Sequence, residues 1–138
     1  FDALAKRSEK CLRDFSFQNL ANIAWAFATL SHPAPKLFDA LAKRAEERLE
    51  YFDSQALANI AWAFARANHA AFSLFVALAR RVEKCFRDLL PQELANTAWA
   101  FATLSHSAPK LFDALARGVE ERLGDCNPQN LANIAWAF

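Results

Sequence analysis

Trp25, Trp62, Trp99 and Trp136 are the only tryptophans in the chain, and each lies 37 residues from the next. The same offset carries Leu20-Ala21-Asn22 onto Leu57-Ala58-Asn59, Leu94-Ala95-Asn96 and Leu131-Ala132-Asn133, and it carries Phe1 onto Phe38, Phe75 and Phe112. A fixed period of this length is the mark of a solenoid, in which each unit buries its apolar face against its neighbours. Cut at the phenylalanines, the units are residues 1–37, 38–74, 75–111 and 112–138, the last incomplete. With no Met and a start at the first residue of a unit, the sequence reads as one segment of a longer array. Further chain or a bound partner is then expected to cover its two end units.

Each unit predicts two helices. From Phe38 to Phe52 the apolar positions are Phe38, Leu41, Ala42, Ala45, Leu49 and Phe52, spaced by three and four, with Lys43, Arg44, Glu46, Glu47, Arg48 and Glu50 between them. That pattern is an amphipathic helix whose mixed charges form a solvated outer face. Pro35 and Pro109 stand just before two such helices, where a missing N–H costs little. The second helix carries Gln18 to Ala28. Ser16, Asp53 and Asn127 occupy its N-cap position, while Leu90 in the third unit should cost about 1 kcal/mol relative to a good cap, with Pro91 still marking the start. Two apolar stripes, Leu20/Ile23/Ala24/Phe27 and Ala21/Trp25/Ala28, require cover on more than one side, so this is the inner helix. Loops of three to five residues admit only antiparallel neighbours. The expected fold is therefore all-α, an α-solenoid of antiparallel helix pairs.

On that helix the remaining strip, at 100° per residue, is Asn19, Asn22, Ala26 and Thr29, with Gln18 at its edge. It is expected to line the concave face. The tryptophans, set among alanines on a packing stripe, are expected in the core, where truncation to Ala costs about 3–5 kcal/mol.

Composition narrows the function more by exclusion than by indication. At 54% apolar residues with two glycines, the chain is expected to fold throughout. There is no run of about 18 apolar residues to insert in a membrane and no signal-peptide pattern. A net charge of +1 gives no long-range pull toward nucleic acid or an anionic surface.

Catalysis needs dissimilar groups converging on one point, whereas the polar residues here are copies at fixed spacing, and no GxSxG, P-loop, GxGxxG, HExxH or paired CxxC motif occurs. No enzymatic centre or cofactor is expected. His32, His69 and His106 also lie 37 apart. Zinc holds imidazole nitrogens at about 2 Å, and ligands stepped by roughly 10 Å per packed helix cannot share an ion. These histidines are expected at the turn after the inner helix, bonding its last carbonyls and meeting its dipole. Cys11 and Cys85 occupy the same unit position two units apart, about 20 Å at that helix spacing. With Cys126 they are expected as free thiols in packing roles.

Asn22, Asn59, Asn96 and Asn133 present a two-donor, two-acceptor amide at one point of every unit. The amide either ties each inner helix to the next unit or offers one hydrogen-bonding group per unit to an extended ligand. Discrimination among ligands needs positions that vary. The strip varies at Asn19, Ala56, Glu93 and Asn130, and at Thr29, Arg66 and Thr103; neutral variation at exposed sites is the competing account. Gln18, Gln55, Gln92 and Gln129 are candidate helix-start hydrogen bonders. Lys36 and Lys110, in turns between helices, are candidate phosphate contacts, each a modest and salt-sensitive one.

The unit Pro-Gln-x-Leu-Ala-Asn-x-Ala-Trp-Ala-Phe-Ala, followed by Ser-His-Pro-Ala-Pro-Lys-Leu at 31–37, resembles the octotricopeptide repeats and the closely similar 37-residue heptatricopeptide repeats of RAP-domain proteins. The resemblance runs along the whole chain. The signature Pro-Pro-Pro-Glu-Trp before the outer helix is matched only in part, by Pro33-Ala34-Pro35-Lys36-Leu37 and Ser107-Ala108-Pro109-Lys110-Leu111, which favours the 37-residue relatives. FAST-kinase-type proteins look like more distant relatives. The resemblance implies an α-solenoid of chloroplasts or mitochondria that binds single-stranded RNA and supports its processing, stability or translation. Against it stands a protein-interaction scaffold, an accessory subunit of a large organellar assembly, which the scarcity of charge on the inner helix favours.

Overall fold

A computed structural model describes all of residues 1–138. The chain is all-helical, with eight α-helices and no strand: α1 Asp2–Cys11, α2 Phe17–Thr29, α3 Pro35–Arg48, α4 Ser54–Arg66, α5 Phe72–Cys85, α6 Pro91–Thr103, α7 Pro109–Glu121 and α8 Pro128–Ala137. The even-numbered helices pack on one another in succession, α2 on α4 on α6 on α8, and the odd-numbered helices form a second row beside them. No helix is long and apolar enough to cross a membrane.

Local chemistry sets the ends of these helices. At α2 the Ser16 hydroxyl accepts from the Asn19 N–H while the Asn19 amide oxygen accepts from the Ser16 N–H, a reciprocal capping box. Asn127 and Asn130 repeat it at α8, and Asp53 caps α4 through the Ala56 N–H. Leu90 has no side chain to offer α6. The Glu93 carboxylate supplies the other half of the box by accepting the Leu90 N–H at 2.8 Å.

The far ends share one geometry. Ser31, Asn68 and Ser105 all sit in the left-handed region at φ 52°. The next residue, a histidine each time, donates its backbone N–H five residues back, to the carbonyls of Phe27, Phe64 and Phe101. With the companion bonds from Ser31 to Ala28, Asn68 to Ala65 and Ser105 to Ala102, this is a Schellman motif in each of three turns.

The odd-row helices are shorter than their apolar pattern predicts. Instead of running on to Phe52, α3 ends at Arg48 and tightens into a 3₁₀ turn, Leu49–Tyr51, as do α1, α5 and α7 at Leu12–Asp14, Phe86–Asp88 and Leu123–Asp125. In a 3₁₀ turn, side chains three apart fall in line. Leu49 and Phe52 thereby both enter the core, as do Phe86 and Leu89.

The core lies between the rows and between successive even helices. Phe27, Phe64, Phe75 and Phe101 are fully buried with Leu20, Leu57, Leu94 and Leu111. On the side of each even helix that faces the next lie small residues, Ala21, Ala24 and Ala28 on α2, all buried, whose counterparts Ala132 and Ala135 on α8, with no helix beyond, are exposed. On the side that faces the previous one Ala56, Ile60 and Ala63 of α4 are buried, while Ile23 and Ala26 of α2 are only partly so. Small residues on one side of the seam bring the helices close.

Candidate ligand-binding face

An interior even helix is covered by its two neighbours and by the odd row, which leaves one face open. On α4 that face carries Gln55, Asn59, Trp62 and Arg66, at i, i+4, i+7 and i+11, a single line along a helix. The corresponding lines are Gln18/Asn22/Trp25/Thr29 on α2, Gln92/Asn96/Trp99/Thr103 on α6 and Gln129/Asn133/Trp136 on α8.

Of the tryptophans, expected in the core, Trp62 and Trp99 are partly buried and pack against it, while Trp25 and Trp136, on the two end helices of the even row, are exposed. Trp25 is 47% exposed and Trp136 62% exposed, while Trp62 and Trp99 are half-buried. They lie at the edge of the even row, Trp25 and Trp62 each next to the indole of the following helix. Ring centroids of Trp25 and Trp62 lie 6.4 Å apart with the planes at 31°, and Trp62 and Trp99 repeat both values.

Beside this ladder runs a second one of amides. The side chains of Asn22, Asn59 and Asn96 make no hydrogen bond within the chain, so they do not tie one unit to the next. Only Asn133 is engaged, accepting from Gln129 Nε2 at 3.0 Å, and no glutamine bonds a helix start. Between α4 and α6 the amides border a cleft of about 500 Å³, with Gln55 and Asn59 on one wall, Gln92 and Asn96 on the other, and Asp53 and Asp88 at its rim.

Two other expectations about this face change. The Asn19 series does not belong to it: Asn19, Glu93 and Asn130 cap their own helices, and Ala56, Glu93 and Asn130 are buried. These residues sit three beyond the N-cap, where a side chain that folds back meets the free N–H. The Ala26 series turns into the packing, with Ala63 and Ala100 buried. The Thr29 series divides. Thr29 and Arg66 are exposed, with Arg66 reaching back across the unit boundary to donate to Ser31 Oγ at 3.4 Å, but the Thr103 hydroxyl is buried without a partner. Arg66 is thus the one charged side chain on the line. Lys36 and Lys110 are exposed in the first turns of α3 and α7, off the line itself.

The histidines also differ from expectation. Their backbone N–H groups, not their rings, meet the last carbonyls of α2, α4 and α6. The His32 ring pairs with Asp2 at 3.0 Å and the His69 ring with Asp39 at 2.8 Å, each packed between two phenylalanines. In the third unit the carboxylate position is Val76. His106 packs against Phe72, Phe75 and Phe101 instead, and burial among them holds its pKa below the usual histidine value. Each ring is engaged at its own turn, and no three His, Cys, Asp or Glu side chains converge where they could hold a metal. All three cysteines are free and half-buried, and burial raises the Cys85 thiol, partly offset by Arg81.

The face therefore presents, once per unit, an aromatic plate, an unpaired asparagine amide and a glutamine amide. The i, i+4, i+7, i+11 spacing of this line is present in the sequence; which side of the helix it occupies is set by the packing of the two rows. No family model matches this chain, and no curated protein matches it.

Proposed function

We propose that the chain is an α-solenoid of 37-residue units and that it binds single-stranded RNA along the open face of its even-numbered helices. One observation carries this reading: a ladder of partly exposed indoles beside amides that nothing in the chain satisfies. Apolar surface left partly open beside polar amides, repeated along one line, supports a binding site there. Bases stack on such plates with little dependence on charge, and base edges are read by amides. The same groups recur at each step instead of converging, so the proposed role is binding and not catalysis. The resemblance to octotricopeptide and heptatricopeptide repeats supports an organellar role in RNA processing, stability or translation.

A salt series on single-stranded RNA, read by tryptophan fluorescence, tests this. With Arg66 on the line and Lys36 and Lys110 beside it, at most about three phosphates are neutralised, so log K should fall with log salt at a slope no steeper than about −2. Absence of binding at low salt rejects the proposal.

The near-neutral line favours a second reading, an extended segment of a partner protein. The 6.4 Å indole step equals about two residues of extended peptide at 3.2–3.4 Å each. A stoichiometric protein that shields Trp62 and Trp99 from quenching, with no RNA bound, would select it.

A further inference from the structure

The turns after α2, α4 and α6 each carry a histidine at the same place, and two of the three rings hold a carboxylate. His32 Nε2 meets Asp2 Oδ1 at 3.0 Å, and His69 Nε2 meets Asp39 Oδ1 at 2.8 Å. In the third unit the aspartate position is Val76, and the His106 ring makes no hydrogen bond or ion pair. The ring is nonetheless set as in its counterparts: it lies 5.8 Å from Phe75 and 5.5 Å from Phe101, as His69 lies 5.6 Å from Phe38 and 5.8 Å from Phe64. We infer that this third turn is a binding site for an external carboxylate, which supplies to His106 what Asp2 and Asp39 supply to His32 and His69. The site lies against α5 and the start of α7 and does not depend on what the open face binds.

A cleft stands at the required place. It has a volume of about 260 Å³ and is bordered by both Val76 and His106, the two positions that are aspartate and histidine in the sister units. Its charged groups are Arg80 and Glu83 from α5 and Lys110 from α7, two cations against one carboxylate. Ser107 adds a hydroxyl donor. Ala108 leaves the start of α7 without a side-chain cap, so the positive end of that helix borders the same space. Apart from Glu83, every polar group of the cleft favours an anion, and the sister turns fix its class as a carboxylate.

The ring also responds to its ligand. Burial holds the His106 pKa below the usual histidine value, whereas a carboxylate within hydrogen-bond reach favours the imidazolium. Carboxylate and proton therefore strengthen one another's binding, and by the same factor. Affinity is greatest where His106 is protonated and falls as pH rises through the midpoint of the complex.

Acetate, inorganic phosphate and chloride, compared at equal ionic strength, test the inference, with the ring protons of the three histidines followed by NMR across pH. Acetate should raise the midpoint of His106, while the signals of His32 and His69, whose rings already hold carboxylates, should not respond to it. It should bind at least about tenfold tighter below that midpoint than above it, since an opposite charge at close range favours the imidazolium by about that factor or more. Arg80→Ala/Lys110→Ala, at two exposed positions, should weaken acetate several-fold. Val76→Asp supplies the carboxylate from within the chain and should abolish the acetate response of His106; the comparison of anions on the unaltered chain decides whether or not that variant folds. A blocked Gly-Asp-Gly peptide that binds more tightly than acetate assigns the site to an acidic side chain of a partner, and the reverse order assigns it to a free carboxylic acid. Equal responses to acetate and chloride, a response shared by all three histidines, or tighter binding of phosphate than of acetate overturns the inference.

Discussion

Trp62 and Phe64 lie two residues apart on α4 and answer to different demands. Phe64 is fully buried, edge-on to Phe38 at 5.0 Å, and fills space between the rows. Trp62 stands on the open face between Trp25 and Trp99. Deleting a filled core ring costs about 3–5 kcal/mol, whereas a half-buried plate loses mainly its stacking partners, about 0.5–1.5 kcal/mol for each aromatic pair. Phe64→Ala should therefore destabilise by about 3–5 kcal/mol and Trp62→Ala by clearly less, while only Trp62→Ala reduces ligand binding. Urea unfolding compares the two directly, and equal losses would return the indole to a structural role. The sequence shows both residues as large and aromatic; the difference between them is the side of α4 that each occupies, Phe64 between the rows and Trp62 at the edge of the even row.

Capping separates the helices at the scale of the element. Three of the even-numbered helices begin at a polar side chain that accepts their own third N–H, and α6 does not. Its Glu93 is already folded back onto the Leu90 N–H, so the missing half is an oxygen at residue 90. Leu90 is 58% exposed and gives up little packing when replaced. Leu90→Ser completes the box and should stabilise the chain by about 0.5–2 kcal/mol. A rise in thermal midpoint checks it, and no rise would mean that the glutamate alone suffices. These ends were legible in sequence because a cap is a contact between near neighbours. The 3₁₀ turns were not, because they depend on the core drawing in Leu49 and Phe52 together. Glu93, a variable position on a surface strip by sequence, is a capping residue, since only the fold determines whether a side chain near a helix start turns inward or outward.

Across the whole molecule the units are copies, and the places where they differ are matched in space. Arg44 reaches back to donate to the Arg13 carbonyl at the preceding unit's 3₁₀ turn, which begins with Leu12. One unit from the end, that turn begins with Phe86 and the arginine position is Gly118. A Cβ on Gly118 would come to 3.2 Å from the Phe86 ring and 3.1 Å from Leu94. The larger residue upstream and the smaller one downstream compensate across the unit boundary. Gly118→Ala should gain about 1 kcal/mol of helix propensity and lose about 1–3 kcal/mol to overpacking, a net loss. In a Phe86→Leu background the ring contact is relieved while the one to Leu94 remains, and the same change should cost less. A double-mutant cycle measures this, and coupling below about 0.5 kcal/mol would show that the two sites are independent.

What the sequence determined by itself is what rests on local and periodic rules. Apolar spacing made the helices, Ser16, Asp53 and Asn127 started them, and the 37-residue recurrence set like residues at like places. The tertiary structure decided which face of the even-numbered helices stays open. That choice depends on which side chains are small enough for a helix–helix seam, a property of two surfaces meeting and not of one strand of residues. It set the tryptophans at the edge of the core, drew Asn19, Glu93 and Asn130 into the caps, left Asn22, Asn59 and Asn96 unpaired, and so turned four scattered triplets into one line.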